Sequence, residues 1–405
     1  MIARIHPRKL SGKIAAIPSK SAAHRLLICA AFADQETFIK IGATNEDIEA
    51  TIRCLNAFGA DIAHETGGLR VRPGRINAKC TTDCGESGST LRFLLPVAAA
   101  LGIDASFKMH GRLPERPIFP LDRELIAGGC TLTRPEKAIL RIEGKLAPGS
   151  YTLPGNVSSQ YITGMLFALN LCGSGSICIT GNTESAAYID MTLSAMDIFG
   201  AKPEKTEIGY RISGRKFLTP GEAYVEGDWS NAAFWLCAEK ISGTSIELSG
   251  LNPDSPQGDR RIVEELIGMA STGSDYVIDA SGIPDLVPAI AAYACLKPGR
   301  TRFIHAERLR IKESDRLKTV AGTLNALGAS VLETPDGLII DGKSSLSGGK
   351  VSSGNDHRIA MMAAIASIGC ENTVEISGAE AVNKSYPAFW SDFNALGGHA
   401  TLTEE

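Results

Sequence analysis

The nine residues Arg308-Leu-Arg-Ile-Lys-Glu-Ser-Asp-Arg316 gather four cations and two carboxylates. Their spacing reads as a helix start: Glu313, Ser314 and Asp315 suit a first turn, and Leu317, Val320, Leu324 and Leu327 follow at helical intervals. On such a helix Lys312 and Arg316 stand one turn apart on one face, with Arg308 and Arg310 just upstream. Like charges at that interval cost a helix about 0.2–0.5 kcal/mol, so a bound anion explains them more fully than a solvated face does. The plainer reading is a surface stretch in which Glu313 and Asp315 are local counter-charges. Against it, cations recur in the same setting: Lys20, Arg25, Arg92 and Arg358 all fall at or within two turns of another predicted helix start.

The remaining candidates are each ambiguous alone. Gly85-Glu-Ser-Gly-Ser-Thr90 has the small residues that let a backbone approach a compact anion, and equally those of a turn capping a helix. It lacks the Lys-Ser/Thr ending of a nucleotide loop, and no Gly-x-Gly-x-x-Gly follows a strand, which disfavours ATP and NAD chemistry. Arg116 precedes Pro117 and is therefore extended. Ser158-Ser159-Gln160 is compatible with a simple cap, and Tyr188 with Asp190 with an ordinary hydroxyl pair. Asp285 follows Pro284 at a helix start, where capping competes with catalysis as its role. Cys80 and Cys84 have no second pair or nearby histidine, so their spacing argues against structural zinc.

The elements that must hold these side chains form two series. Apolar helical runs begin at Ser19, Ser87, Ser158, Asp228, Ile283 and Asn355, each apolar nearly all round and so buried. Between them lie amphipathic runs that stop at a glycine, at Gly59, Gly128, Gly200, Gly268, Gly328 and Gly397. Short alternating stretches such as 68–72, 210–213 and 337–340 read as strands. Both helical series recur at roughly 60–70 residues, which argues for six copies of one unit, three per domain. The chain should cross between domains near Ile17 to Lys20 and near Glu226-Gly227-Asp228, dividing it into 19–227 and a second domain of 1–18 with 228–405. Parallel inner helices would present unpaired N–H groups and partial positive charge to a cleft, which would then attract anions.

Composition limits what those anions are. A length of 405 residues implies two cores, and the net charge of −4 gives no global attraction to nucleic acid or lipid. A small anionic ligand fits better than a polymer. The N-terminus lacks a signal peptide's apolar run, and no stretch approaches the roughly 18 apolar residues of a membrane span. The 10 cysteines are scattered through apolar segments, as buried thiols of a reducing cytoplasm are. A monomer is the default, since six units can bury one another's apolar faces.

Taken together, Lys20-Ser21 with Arg25, Gly88-Ser89-Thr90-Leu91-Arg92, Glu115-Arg116-Pro117, Ser158-Ser159-Gln160, Tyr188-Ile189-Asp190, Lys312-Glu313-x-x-Arg316, Asn355-Asp356-His357-Arg358 and Lys384-Ser385-Tyr386-Pro387 occur in a familiar order and spacing. The chain closely resembles the EPSP synthases, the 3-phosphoshikimate 1-carboxyvinyltransferases, over nearly its whole length. That resemblance implies an α/β, two-domain enolpyruvyl-transferase fold of six βαβαββ units, with buried parallel helices pointing at the interdomain cleft. It implies transfer of the enolpyruvyl group of phosphoenolpyruvate to the 5-hydroxyl of shikimate 3-phosphate, a step of the shikimate pathway toward chorismate and the aromatic amino acids, with neither metal nor organic cofactor.

By the same resemblance, Lys20, Ser21, Arg25, Ser158, Ser159, Gln160, Ser185, Tyr188, Asp285 and Lys312 contact shikimate 3-phosphate. Lys20, Gly88, Arg92, Arg116, Gln160, Arg316, Arg358 and Lys384 hold phosphoenolpyruvate. Asp285 is the base for the 5-hydroxyl, with Lys20 and Lys312 close to the chemistry, and Glu313 is the acid for the methylene carbon. Two residues depart from the family pattern, Glu86 where many relatives have asparagine and Phe93 where many have proline. They set the response to glyphosate, the family's competitive inhibitor, against what Gly88 suggests. Rival readings are the sister transferase acting on UDP-N-acetylglucosamine, whose usual cysteine is missing from the loop Leu113 to Pro120, and a catalytically silent anion-binding protein of the same fold. A nucleic-acid-processing relative is opposed by the net charge.

Overall fold

A buried helix has free N–H groups in its first turn, and here a side chain takes one of them in five of the six inner helices. Ser19 caps Lys20–Ala31, Ser87 caps Gly88–Leu101 and Ser158 caps Ser159–Cys172. Asp228 caps Trp229–Ser242 and Asp356 caps His357–Ala366. The sixth, Val287–Ala294, is instead led in by the 3-10 turn Pro284–Leu286, without a side-chain cap. Asp285 is therefore not a capping residue, and its carboxylate is left for other partners.

The computed structural model describes residues 1–272 and 275–404, in two compact units, Pro18–Glu226 and Met1–Ile17 with Gly227–Glu405. Each has its own apolar core, centred on its three inner helices. No helix among the described residues is long and apolar enough to cross a membrane.

Within a repeat the first two strands run parallel around the inner helix, and a terminal hairpin follows the outer helix. Lys79–Asp83, Asp104–Lys108, Ile139–Gly144 and Cys130–Glu136 lie in that spatial order, as do Ser150–Pro154, Gly175–Thr180, Gly209–Ile212 and Glu204–Thr206. In the first repeat of unit 18–226 the leading strand comes from the far end: Glu222–Tyr224 pairs in parallel with Thr37–Lys40. The other unit closes similarly, with Ile2–His6 set antiparallel between Val374–Ser377 and His399–Thr403. The chain's first strand thus completes the set at its end.

Two features depart from the sequence reading. One of the six sheets has two strands among the described residues, Gly12–Ala15 and Ile246–Ser249, because only residues 272–275 separate the outer helix Ile262–Ser271 from the next unit's first strand, too few for a hairpin. Val263 and Ile267, one turn apart on that helix, are consequently 41% and 65% exposed. The same helix does not stop at Gly268, which lies inside it. A Cβ there would come within 2.1 Å of the Tyr276 hydroxyl, so this glycine makes room for a ring. The other expected stops behave as predicted, with positive φ at Gly59, Gly200, Gly328 and Gly397 and, beside Gly128, at Gly129.

Candidate active site

In unit 18–226 the candidate residues gather at the starts of the inner helices. Arg25, 2% exposed, spreads its guanidinium between elements: Nε donates to Thr192 Oγ1 (2.9 Å), Nη1 to the Ser21 carbonyl (2.6 Å) and Nη2 to the Tyr188 carbonyl (2.8 Å). Burial pulls its pKa down to about 10, which leaves it cationic at neutral pH. These three acceptors are neutral, so they orient the charge without cancelling it. Ser185, whose φ is 54°, leads into the Ala186–Ile198 helix that carries Tyr188. Phe93 supports the same guanidinium from below, with its ring centroid 5.1 Å from the Arg25 carbon.

Arg92 belongs to the Gly88–Leu101 helix, and Arg116 reaches the start of that helix from the segment after the Leu113–Glu115 turn. Arg92 Nη1 donates to Gln160 Oε1 (2.7 Å) and Nη2 to the Pro117 carbonyl (3.1 Å), while Gln160 Nε2 donates to Ser89 Oγ (2.9 Å). This binds the Ser158-Ser159-Gln160 turn to the glycine-containing turn. Arg116 lies so close to Gly88 that a Cβ there would be 2.8 Å from Nη1. Glu86 turns its carboxylate onto Gly111, where a Cβ would lie 2.3 Å from Oε2.

Two further contacts hold the frame. Lys20 Nζ lies 2.7 Å from Asp47 Oδ2 on the neighbouring outer helix, Glu46–Phe58. Beneath it, His24 Nδ1 and Thr51 Oγ1 (2.7 Å), Thr51 and Thr90 (2.7 Å), and Thr90 and Ser87 (2.8 Å) form a buried chain joining three helices. Burial, then Lys20 and Arg25, push the His24 pKa well down, so this strut is neutral.

The unit 1–17 with 227–405 holds a tighter cluster. Asp285 Oδ1 accepts from Arg316 Nη1 (2.9 Å) and Lys312 Nζ (3.3 Å), and Oδ2 accepts from Arg358 Nη2 (3.2 Å). Arg358 Nη1 also donates to the Asp285 carbonyl (3.0 Å). Arg316 reaches Glu313 Oε2 through Nη2 (2.6 Å) and Asp356 Oδ2 through Nε (2.8 Å). Lys384 Nζ donates to the carbonyl of Asn355 (2.7 Å), a residue held at φ 59°. Burial lowers the Lys312 pKa despite Asp285, which makes that ammonium a readier proton donor than a surface lysine.

The geometry corrects one expectation. Lys312 and Arg316 are not neighbours on a helix: Glu307–Ile311 is a 3-10 segment, Lys312 is extended, and the helix begins at Arg316. Asp315 sets that boundary by accepting from the Lys318 N–H (3.3 Å). The two cations converge through their shared carboxylate instead.

Sequence reasoning did not single out Asp47 or Asp356 as partners. Asp356 is fully buried and also accepts from Ser314 Oγ (2.9 Å) and the Arg358 N–H (3.0 Å). Asp47 stood in an acidic first turn and Asp356 beside Arg358, but nothing in the spacing linked either to Lys20 or Arg316.

The cluster predicts an acid limit to stability. Burial alone would raise the pKa of Asp285 and Asp356, but Arg358, Lys312 and Arg316 at the first, and Arg316 at the second, lower both. Such groups bind fewer protons folded than unfolded. Their stabilisation is complete above the unfolded value of about 4 and is lost as pH falls through the folded values. Urea midpoints measured from pH 7 to pH 3 are expected to drop steeply below about pH 4. The drop should be shallower in Asp356→Asn.

Residues 5–393 match the family model described as EPSP synthase (3-phosphoshikimate 1-carboxyvinyltransferase). The 3-phosphoshikimate 1-carboxyvinyltransferase of Clostridium acetobutylicum is 42% identical over 416 residues, covering 98% of this chain and 97% of that one. Its counterpart in Clostridium kluyveri is 42% identical over 417 residues, covering 97% of each. The solved EPSP synthase of Acinetobacter baumannii superposes with a TM-score of 0.80 at 24% identity, covering 99% of this chain and all of that one, and so shares its fold.

Proposed function

The chain belongs to the EPSP synthase family, and on that premise we propose that it transfers the 1-carboxyvinyl group of phosphoenolpyruvate to the 5-hydroxyl of shikimate 3-phosphate, releasing phosphate. The observation that supports this best is the Asp285 cluster, a half-buried carboxylate held by Lys312, Arg316 and Arg358. It offers a proton acceptor among cations suited to a ligand bearing phosphate and carboxylate.

In the first step the 5-hydroxyl oxygen bonds to the enol carbon, its proton passes to Asp285, and Glu313 protonates the methylene carbon. In the second, the methyl group returns a proton to Glu313 as the carbon–oxygen bond to phosphate breaks, and the proton taken by Asp285 leaves with the phosphate. Lys312 lies 3.3 Å from Asp285, where it steadies the charge that shifts in both steps.

Shikimate 3-phosphate takes most of its contacts from unit 18–226: Ser21, Arg25, Gln160 and Tyr188 at the ring and carboxylate, and Ser158, Ser159 and Ser185 at the phosphate. Lys20, Gly88, Arg92, Arg116, Gln160, Arg316, Arg358 and Lys384 take phosphoenolpyruvate. The reading makes the protein a cytoplasmic monomer that uses no metal or organic cofactor.

Phosphate release with phosphoenolpyruvate, measured with and without shikimate 3-phosphate and in parallel with UDP-N-acetylglucosamine, tests this. Release that requires shikimate 3-phosphate is the expected result. Release only with the nucleotide sugar would assign the sister activity, and no release with either would leave a binding protein.

Gly88→Ala gives a local check. The added Cβ would force the Arg116 guanidinium to move, so KM for phosphoenolpyruvate should rise by about tenfold, the equivalent of roughly 1.4 kcal/mol, with KM for shikimate 3-phosphate little changed. An unchanged KM for phosphoenolpyruvate would remove Arg116 from that site.

A further inference from the structure

The strands that close unit 1–17 with 227–405 carry two histidines that the proposed reaction does not use. His6 ends the strand Ile2–His6, His399 begins His399–Thr403, and the two are direct partners in the antiparallel register. Both are exposed, on the outer face of a sheet whose other face buries Ala3, Ile5 and Ala400. Their ring centroids lie 4.9 Å apart, with the planes inclined at 36°. Residues directly opposed on antiparallel strands have Cβ atoms about 4.5–5.5 Å apart, so the backbone register itself brings the imidazoles together.

We propose that His6 and His399 together bind a divalent transition-metal ion of the imidazole-preferring kind, such as Zn²⁺ or Cu²⁺, which ties the chain's first strand to its last. With metal–nitrogen bonds of about 2.0–2.1 Å, two imidazoles on one ion have ring centres about 4.5 Å apart at a right angle and about 5.2 Å apart at a tetrahedral one. The observed 4.9 Å falls between those values, so the spacing already suits a shared ion.

A third side chain gives independent support. On the other side of the Ile2–His6 strand, Thr373 Oγ1 lies 3.2 Å from His6 Nδ1. With the Nδ1–H donating to that hydroxyl, Nε2 carries the lone pair, and this is the outer hydrogen bond that metal-binding histidines make. Arg4, two residues earlier on the same face, donates to Glu375 Oε1 (2.6 Å), so its charge is countered. Among the described residues no group of three or more histidine, cysteine and carboxylate side chains forms a metal site, so water completes the coordination here and the ion stays exchangeable.

The ion is a link and takes no part in the reaction, since neither strand holds a candidate catalytic or substrate-binding residue. Ile2–His6 is otherwise kept in its sheet by pairing with Val374–Ser377 and His399–Thr403. An ion shared by His6 and His399 requires both strands in place, so it favours the paired state by mass action.

Calorimetric titration of metal-free protein with Cu²⁺ and Zn²⁺ salts at pH 7 tests this in wild type, His6→Ala and His399→Ala, whose exposed positions leave the fold intact. The wild type is expected to show a site that each variant weakens by about a hundredfold or more, because each removes one arm of a chelate. Thr373→Val, which removes the hydroxyl and keeps the shape, should weaken it by about tenfold. Equal affinity and stoichiometry in wild type and either histidine variant would put the ion elsewhere and overturn the proposal, as would no binding by the wild type up to about 1 mM metal. Amide hydrogen exchange reads the tie itself: with Zn²⁺, residues 2–6 and 399–403 should exchange more slowly in the wild type and at an unaltered rate in the two histidine variants. Exchange in the wild type that does not respond to metal would also overturn it.

Discussion

Replacing Asp285 by alanine is expected to lower kcat by about 10³-fold, within the roughly 10²–10⁴ range of a positioned proton-transfer group, while both substrates still bind. The carboxylate accepts hydrogen bonds from Lys312, Arg316 and Arg358, so its removal deletes the proton acceptor and releases three cations at once. Those cations would then hold an anionic ligand at least as well as before. Loss should therefore fall on turnover, with the dissociation constant for phosphoenolpyruvate unchanged or lower. Calorimetric titration with each substrate, beside phosphate release under saturation, separates the two quantities. Turnover near the wild-type rate with both ligands bound would remove Asp285 from the chemistry. Glu313→Gln, at the opposite proton transfer, carries the same expectation without freeing Asp285's three partners.

Asp356→Ala is expected to be among the most destabilising single changes in the chain, by about 3–5 kcal/mol. Asp356 is fully buried and its partner Arg316 has 2% of its side chain exposed, so truncation leaves an ion stripped of its main counter-charge away from water. Part of the loss is the helix cap, because the same carboxylate accepts the Arg358 N–H (3.0 Å). Asp356→Asn keeps a capping oxygen and removes the charge, so the difference between the two variants isolates the ion pair. Urea unfolding at pH 7 measures both. A loss below about 1 kcal/mol for alanine would mean that Glu313 and Asp285 suffice to neutralise Arg316, and that the cluster is electrostatically redundant. Activity should fall with stability, since Arg316 and Arg358 are placed by the same residue.

Much of the fold was legible because its signals are local. Ser19, Ser87, Ser158, Asp228 and Asp356 each close a helix turn two or three residues ahead, and a polar residue before an apolar run records that directly. Glycine stops at Gly59, Gly328 and Gly397 are local in the same sense. The Arg308–Arg316 stretch was misread because several residues there satisfy helix-start preferences, and only the hydrogen bond of Asp315 decides among them. Gly268 resembles a stop until Tyr276 is folded against it.

The candidate residues were read from a resemblance covering the chain, whereas their partners were not. Lys20 meets Asp47 across 27 positions and Arg316 meets Asp356 across 40, distances over which spacing on one element carries no information. The two-stranded sheet was missed for a related reason: six helical pairs imply six units, but say nothing of whether each outer helix is followed by a hairpin.

The placement of the Ile2–His6 strand has a consequence in time. Arg4 pairs with Glu375, 371 positions later, so this strand leaves the ribosome long before the strand it pairs with. At about 5–20 residues per second that wait is roughly 20–70 s. Unit 18–226, contiguous in the chain, can close on itself during this interval, while its host remains open. Until its partners emerge that strand is a lone edge, the kind of segment that recruits other chains, and Arg4 and His6, alternating with Ala3 and Ile5, are charged or polar steps that make such pairing less favourable.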